Sequence, residues 1–193
     1  MSSWLRGLPN ALSIFRIGMV PLLCVLAWLG EEGAFLAGFA LALASDVLDG
    51  IVARSTGETS PLGARLDSLG DLATYCALPL CAWWLWPEVV RAHAPAFGVA
   101  IAAYCAPLVV GWLRYRRMTS YHTWAAKLTA VWMGGALFAL FWGGVAWPFY
   151  LGVGLLVFEC LEEIAISCAL PRWQSDVPTL WHALRRRRQA SPR

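Results

Sequence analysis

The sequence predicts an all-α fold, a polytopic membrane protein with a bundle of six transmembrane helices. Its 193 residues are 59% hydrophobic and only 14% charged, which is far more apolar than a soluble domain of this size. The apolar residues form six segments, each close to the ~20 residues that a bilayer-spanning helix needs. Short turns rich in Gly, Pro and charged residues separate these segments. We therefore expect a single membrane domain covering residues 1–193.

The predicted helices follow one another with few intervening residues. A short interfacial segment, 1–10, precedes them, and a basic tail, 172–193, follows them. The end of that tail combines Leu180, Trp181 and Leu184 with four arginines, which suits either a short helix on an anionic leaflet or a disordered tail. The six segments are residues 11–29, 33–54, 62–86, 94–113, 123–143 and 146–170.

The tryptophans indicate a membrane protein, and an arginine in the first segment indicates that this segment is not cleaved off. Several of the twelve Trp lie near segment ends, as expected of the aromatic belts at membrane interfaces, whereas Trp132 lies in mid-segment and is expected to pack. Arg16 interrupts the first segment and argues against a cleaved signal peptide. The belt residues are Trp4, Trp86, Trp124, Trp147 and Trp173.

Basic residues predict the orientation, because Lys and Arg accumulate in cytoplasmic loops. One side of the predicted bundle carries Glu31, Glu32, Glu88 and only one arginine, Arg91. We therefore expect both termini in the cytoplasm, in a multi-pass protein of a bacterial inner membrane. The basic residues of the other side are Arg6, Arg16, Arg54, Arg65, Arg114, Arg116, Arg117, Lys127, Arg172 and 185–188.

Four aspartates interrupt the apolar sequence in the second and third segments. Unpaired carboxylates are costly inside a membrane, so they indicate a metal or phosphate site. Helical spacing puts Asp46 and Asp49 on one face, and Asp67 and Asp71 on one face of the next helix. Two such helices can form an acidic pocket, and oxygen-only ligands suit Mg²⁺ or Mn²⁺. Small residues share these faces: Gly50, Ala53 and Gly63.

Written as a pattern, this segment is D-x2-D-G-x2-A-R-x8-G-x3-D-x3-D. It resembles the signature of the CDP-alcohol phosphotransferase family, and the length, the six helices and the opening from Pro9 to Arg16 also fit. The resemblance implies transfer of a substituted phosphate from a CDP-linked donor, usually CDP-diacylglycerol, to an alcohol hydroxyl with release of CMP. It also implies a homodimer. The fixed positions are Asp46, Asp49, Gly50, Ala53, Arg54, Gly63, Asp67 and Asp71.

The resemblance further implies a role for each position. The four aspartates arrange two divalent metals, and Asp71 also takes the proton of the acceptor. A carboxylate bound tightly to metals is a poor base, so Asp71 has to be less tightly ligated than its neighbours. Arg54 can contact phosphate, while the small residues could instead serve close helix packing. The nucleotide and donor site comprises Asp49, Gly50, Ala53, Arg54, Gly63 and Asp67.

Arg114 and Lys127 are the candidates for holding the alcohol, particularly a phosphorylated one, and Lys127 resembles a basic position of the family. Topogenic charge and snorkelling side chains are the alternative. Ser68 and Leu72 follow the last two aspartates. Family members that make phosphatidylglycerol phosphate commonly have Pro and Lys at these positions, so the difference argues against glycerol 3-phosphate as the acceptor alcohol. The acceptor alcohol stays open.

The sequence also contains other acidic residues, allows other functions and indicates which partners to expect. Glu159 and Glu163, four residues apart, are expected to pair with Lys or Arg. A cation-coupled transporter with an intramembrane acidic site is the alternative function, but repeat symmetry and broken helices are not evident. An inactive scaffold is disfavoured because every motif carboxylate is present. The expected partners are the lipid donor, a polar alcohol and membrane lipids, with no nucleic acid.

Overall fold

The protein is helical throughout the part that can be described. A computed structural model describes residues 8–56, 61–116, 121, 123–170 and 177–190. For some helical residues it describes the backbone but not the side chains: 8–10, 12, 46–47, 49–56, 61–68, 71 and 186–190. In these ranges there are eight helices and no strand: α1 Leu8–Trp28, α2 Glu32–Thr56, α3 Pro61–Leu85, α4 Pro87–Ala92, α5 Ala94–Tyr115, α6 Trp124–Gly143, α7 Trp147–Ala169 and α8 Leu180–Ala190.

The all-α prediction is confirmed, and each predicted segment matches one of the six long helices to within three residues at either end. Turn chemistry explains this agreement. Gly30 (φ 78°) and Gly144 (φ 64°) adopt the left-handed conformation just after α1 and α6, which ends a helix at little cost for glycine. Proline opens α3 and α4, where its missing N–H is harmless. The short helix α4 lies where only a turn was predicted.

The chain forms two compact units, residues 1–92 and 93–193. In the first unit, α1 packs against both α2 and α3. A Cβ atom at Gly38 would lie 3.0 Å from Leu23 Cδ2, so glycine permits the close approach of α2 to α1. Between α1 and α3, the sulfur atoms of Cys24 and Cys81 lie 3.9 Å apart. Helix α1 is therefore the central element of this unit.

In the second unit, α7 has the corresponding central position and packs against α5, α6 and α8. A Cβ atom at Gly152 would lie 3.1 Å from Met133 Cε and 3.2 Å from Trp132 Cδ1. The indole N–H of Trp132 donates to the Pro148 carbonyl at 2.9 Å, which confirms its predicted packing role. Close packing around a small residue is typical of helices that associate in a membrane.

The surfaces of both units are rich in large exposed apolar side chains. Among the described residues, α5 and α6 are long and apolar enough to cross a bilayer, and Val131 of α6 is 67% exposed. Such a surface is unusual for a soluble monomer and indicates a membrane protein. Trp124 and Trp147 are exposed, as the aromatic belt requires. The belt prediction is wrong for Trp86, which is buried and packs against Phe35.

Candidate active site

The acidic motif occupies the two helices of the first unit that pack on α1. Asp46 and Asp49 lie in α2, and Asp67 and Asp71 lie in α3. Asp46 precedes the last residue of α2 by ten positions, and Asp71 follows the first residue of α3 by ten. At 1.5 Å per residue, each is about 15 Å along its helix from the α2–α3 connection. The two halves of the motif therefore lie at equal distances along their helices from this connection.

The side chains of the motif residues lie outside the described set, so their predicted roles stay predictions. The backbone does fix their helices. Gly50, Ala53 and Arg54 belong to α2, and Gly63 belongs to the first turn of α3. Each lies nearer the α2–α3 connection than the outermost aspartates, Asp46 and Asp71. The proposed nucleotide contacts are therefore close in sequence to one short connection.

Arg16 is a buried cation that the structure adds to this site. Its side chain is 4% exposed on α1, and its Nε lies 3.6 Å from where a Cβ atom of Gly70 would be. Gly70 directly precedes Asp71 and follows Asp67 by three positions, which is one helical turn. A buried guanidinium in an apolar helix is costly unless it is paired, so such a residue is a candidate for a functional role. A lone arginine inside an apolar segment was the sequence signal that could have identified it.

The donor set of the motif fits a hard divalent cation. Four carboxylates on two helices supply only oxygen ligands, which Mg²⁺ and Mn²⁺ prefer. Among the residues whose side chains are described, no group of three or more His, Cys, Asp and Glu side chains forms a metal site. The motif aspartates are not in that described set, and they remain the candidate ligands.

Of the two candidate acceptor residues, Arg114 has defined hydrogen bonds. Its Nη2 lies 3.3 Å from the Leu170 carbonyl oxygen and 3.4 Å from that of Cys168. The hydroxyl of Tyr115 lies 2.8 Å from the carbonyl oxygens of Leu170 and Ser167. These carbonyl groups end α7 and lack partners within the helix. Arg114 therefore caps α7, which is a structural role.

Lys127 has an exposed side chain, as does Arg114. It lies in the first turn of α6, where Thr123 caps the helix by accepting a hydrogen bond from Ala126 N–H at 3.1 Å. The ammonium group is 5.3 Å from the centre of the Trp124 ring, and both side chains are exposed. The cation–π contact orients the lysine without neutralising its charge.

The glutamates of α7 have hydrogen-bond partners among the described residues. Glu162 accepts a hydrogen bond from Leu180 N–H at 3.1 Å, and Glu163 accepts one from the backbone N–H of Tyr121. Glu159 accepts one from the Thr129 hydroxyl. Among the described residues these acids thus bind N–H and hydroxyl donors rather than Lys or Arg. The reason is that helix starts and turns supply N–H groups that need acceptors.

Tyr121 links α7 to the segment before α6. Its side chain is fully buried, and its hydroxyl lies 2.9 Å from Ser167 Oγ. Burial raises the pKa of Tyr121 to about 12, although the hydrogen bond with Ser167 opposes that change. The hydroxyl therefore keeps its proton at neutral pH, and Tyr121 cannot act as a general base there.

These features define an α-helical membrane protein with an acidic motif on two consecutive helices and a buried arginine beside one of them. The chain belongs to the CDP-alcohol phosphatidyltransferase family, whose model matches residues 6–165. It is accordingly an enzyme, a transferase of substituted phosphate groups, and its family relatives act in phospholipid biosynthesis.

Curated relatives carry names consistent with this family. The chain is 29% identical over 188 residues to a CDP-diacylglycerol–glycerol-3-phosphate 3-phosphatidyltransferase of Pseudomonas fluorescens, covering 88% of this chain and 93% of that enzyme. It is 43% identical over 65 residues to the CMP-forming cardiolipin synthases of rat and human, covering 33% of this chain and 22% of each synthase. No solved structure matches the chain.

Proposed function

We propose that this enzyme transfers a phosphatidyl group from CDP-diacylglycerol to the hydroxyl of a polar alcohol and releases CMP. The reaction makes a phospholipid at the cytoplasmic face of a bacterial inner membrane. The observation that carries the proposal is the complete motif, divided between α2 and α3 at matching distances from their connection. A four-residue connection favours antiparallel neighbours, which would bring both carboxylate pairs to one level. The family resemblance suggests that the enzyme acts as a homodimer.

The motif residues divide the chemistry between them. When bound, two divalent cations would neutralise the diphosphate and the leaving CMP oxygen. The ligands would be the four aspartates Asp46, Asp49, Asp67 and Asp71. Asp71 would also take the proton of the acceptor hydroxyl while the oxygen of that hydroxyl attacks phosphorus. Arg54 would contact a donor phosphate. The small residues would let the nucleotide approach the helix backbone: Gly50, Ala53 and Gly63.

An acceptor screen tests this function. Purified protein is supplied with CDP-diacylglycerol and Mg²⁺, and CMP release is followed with glycerol 3-phosphate, phosphatidylglycerol, inositol phosphate or serine as the alcohol. We expect release with one acceptor, because a polar site discriminates strongly against alcohols that leave its groups unpaired. No CMP with any CDP-linked donor, across a broad set of alcohols, would contradict the proposal.

A topology of six spans with both termini in the cytoplasm predicts from which side of the membrane three engineered cysteines can be labelled. Single cysteines are introduced at positions 32, 90 and 118 after replacing all six native cysteines, since Cys76, Cys105 and Cys168 are exposed. Positions 32 and 90 should react with an impermeant maleimide from outside the cell, and position 118 only after the membrane is opened. Labelling of positions 32 and 118 from the same side would show that this topology is wrong.

Lys127 and Arg114 should respond differently to loss of charge. Lys127→Met should raise the KM for a phosphorylated acceptor about tenfold or more and change kcat little, because a charge-assisted hydrogen bond contributes about 1.5–3 kcal/mol. Arg114→Met is the matched comparison. Since Arg114 caps α7, its loss should lower the melting temperature in detergent. A raised KM at an unchanged melting temperature would instead make Arg114 an acceptor contact.

A further inference from the structure

One end of the second unit carries exposed tryptophans that lie beside cations. The guanidinium of Arg116 is 5.0 Å from the centre of the Trp112 ring, at the end of α5. The ammonium of Lys127 has the similar position over Trp124 at the start of α6. On α8, Trp181 is 71% exposed, and the exposed Arg185 follows it by four residues, which is one helical turn.

Hydrogen bonds show that these helix ends lie together. The backbone N–H of Trp124 donates to the Pro178 carbonyl at 3.2 Å, which joins the start of α6 to the residues before α8. The Tyr115 hydroxyl lies 2.8 Å from the Leu170 carbonyl oxygen, which joins the end of α5 to the end of α7. The three tryptophan–cation positions therefore share one end of the unit, which we call the basic–aromatic end.

Helix α8 is held firmly at this end. Glu162 of α7 accepts the hydrogen bond of Leu180 N–H at 3.1 Å, at the start of α8. Val177 and Ala183 are fully buried in a cluster with Tyr121 and Ile166. Residues 180–190 thus form a helix that packs on the rest of the unit. The disordered tail, which the sequence also allowed, does not apply to these residues.

Only part of the apolar face of α8 is used in this packing. Leu180 and Ala183 face the cluster, whereas Trp181 and Leu184 are exposed. The exposed pair is three residues apart and so shares one face of the helix. Arg185 is also exposed. An amphipathic helix with an uncovered Trp/Leu face next to arginines has the features of a helix in a membrane interface.

The charge of this end is strongly one-sided. From residue 93 onward, every Lys and Arg falls within residues 114–127 or 172–193. Within residues 172–193 there are six arginines and one acid, Asp176, and Glu162 and Glu163 of α7 accept hydrogen bonds from backbone N–H groups, so they are turned to the protein. An anionic partner is the one that this surface complements.

We propose that α8 binds the surface of an anionic lipid bilayer. Trp181 and Leu184 enter the interfacial layer, and the positive charge of the arginines at 185–188 is attracted to the anionic lipid headgroups. Trp112 and Trp124 define the same interfacial level for α5 and α6. This attachment is separate from the proposed transfer reaction and adds a lipid-dependent contact that the catalytic motif does not require.

Hydrogen–deuterium exchange of the full-length protein in lipid nanodiscs tests the proposal without measuring turnover. Discs of phosphatidylcholine alone are compared with discs that contain one third phosphatidylglycerol. We expect the amides of residues 181–190 to exchange at least about tenfold more slowly in the anionic discs. High salt should reverse this protection, because the attraction is screened. Peptides from α6 and α7 report on whether the unit stays folded.

Matched variants separate charge from folding. Replacing the four arginines at 185–188 by glutamine should abolish the difference between the two kinds of disc, and replacing them by lysine should keep it. Trp181→Ser with Leu184→Ser should reduce it. Equal exchange in both discs for the wild-type protein would overturn the proposal. So would protection that depends on two protein copies per disc rather than on the lipid, since that would identify a second chain as the partner.

Discussion

Asp71→Asn should abolish CMP-forming turnover while leaving appreciable binding of nucleotide and metal. Asparagine keeps the size of aspartate and one acceptor oxygen, but it cannot take a proton. At a position whose main task is proton removal, the rate should fall by a factor on the order of 10² to 10⁴, with a much smaller change in affinity. CMP release and CDP-diacylglycerol binding are measured on the same preparation.

Asp49→Asn is the matched variant for Asp71→Asn. Both substitutions remove one negative charge from a helix of the motif, but Asp49 is proposed to hold metal and nucleotide together. Its loss should therefore weaken binding first and turnover as a consequence. An Asp71→Asn enzyme that retains more than about a tenth of wild-type turnover would remove Asp71 from the role of base.

Removal of divalent cations should stop the reaction entirely. Four carboxylates close together repel one another unless a cation neutralises them, and their oxygen-only chemistry suits Mg²⁺ or Mn²⁺. Excess EDTA should reduce CMP release to background, and either cation in excess of the chelator should restore it. The measurement is a titration of initial rate against free cation concentration.

Two controls make the cation experiment specific. Asp46→Asn should raise the cation concentration needed for half-maximal rate, because one ligand charge is lost. Ca²⁺ should substitute poorly, since it prefers more ligands at longer distances than Mg²⁺. Full turnover in excess EDTA would exclude the two-metal mechanism and with it the proposed role of Asp46.

Local patterns were sufficient for the helices of this protein. Their lengths follow from apolar segments bounded by Gly, Pro and charge, as at Gly30 and Pro61, and these signals act within a few residues. The motif was identified in the same way, because the relevant spacings lie within single helices. Short α4 was not predicted, since six residues of PEVVRA give too little periodicity to distinguish a helical turn from a loop.

Contacts between helices could not be predicted in this way. The partners of Glu159 and Glu163 are such a case: the sequence offered many cations, but the folded unit brought Thr129 and a backbone N–H to these acids. Trp86 is another, because its burial depends on packing against residues distant in sequence, such as Phe35. Neither outcome has a signal in the residues next to it.

The sequence by itself determined the all-α class, the six long helices and the acidic motif of the transferase family, because each depends on spacing along one chain segment. Tertiary structure alone decided that Arg16 is buried beside Gly70 and that α8 is anchored through Glu162. Both depend on which helices pack together and at what depth. Side-chain packing between distant segments sets that choice, and no local pattern encodes it.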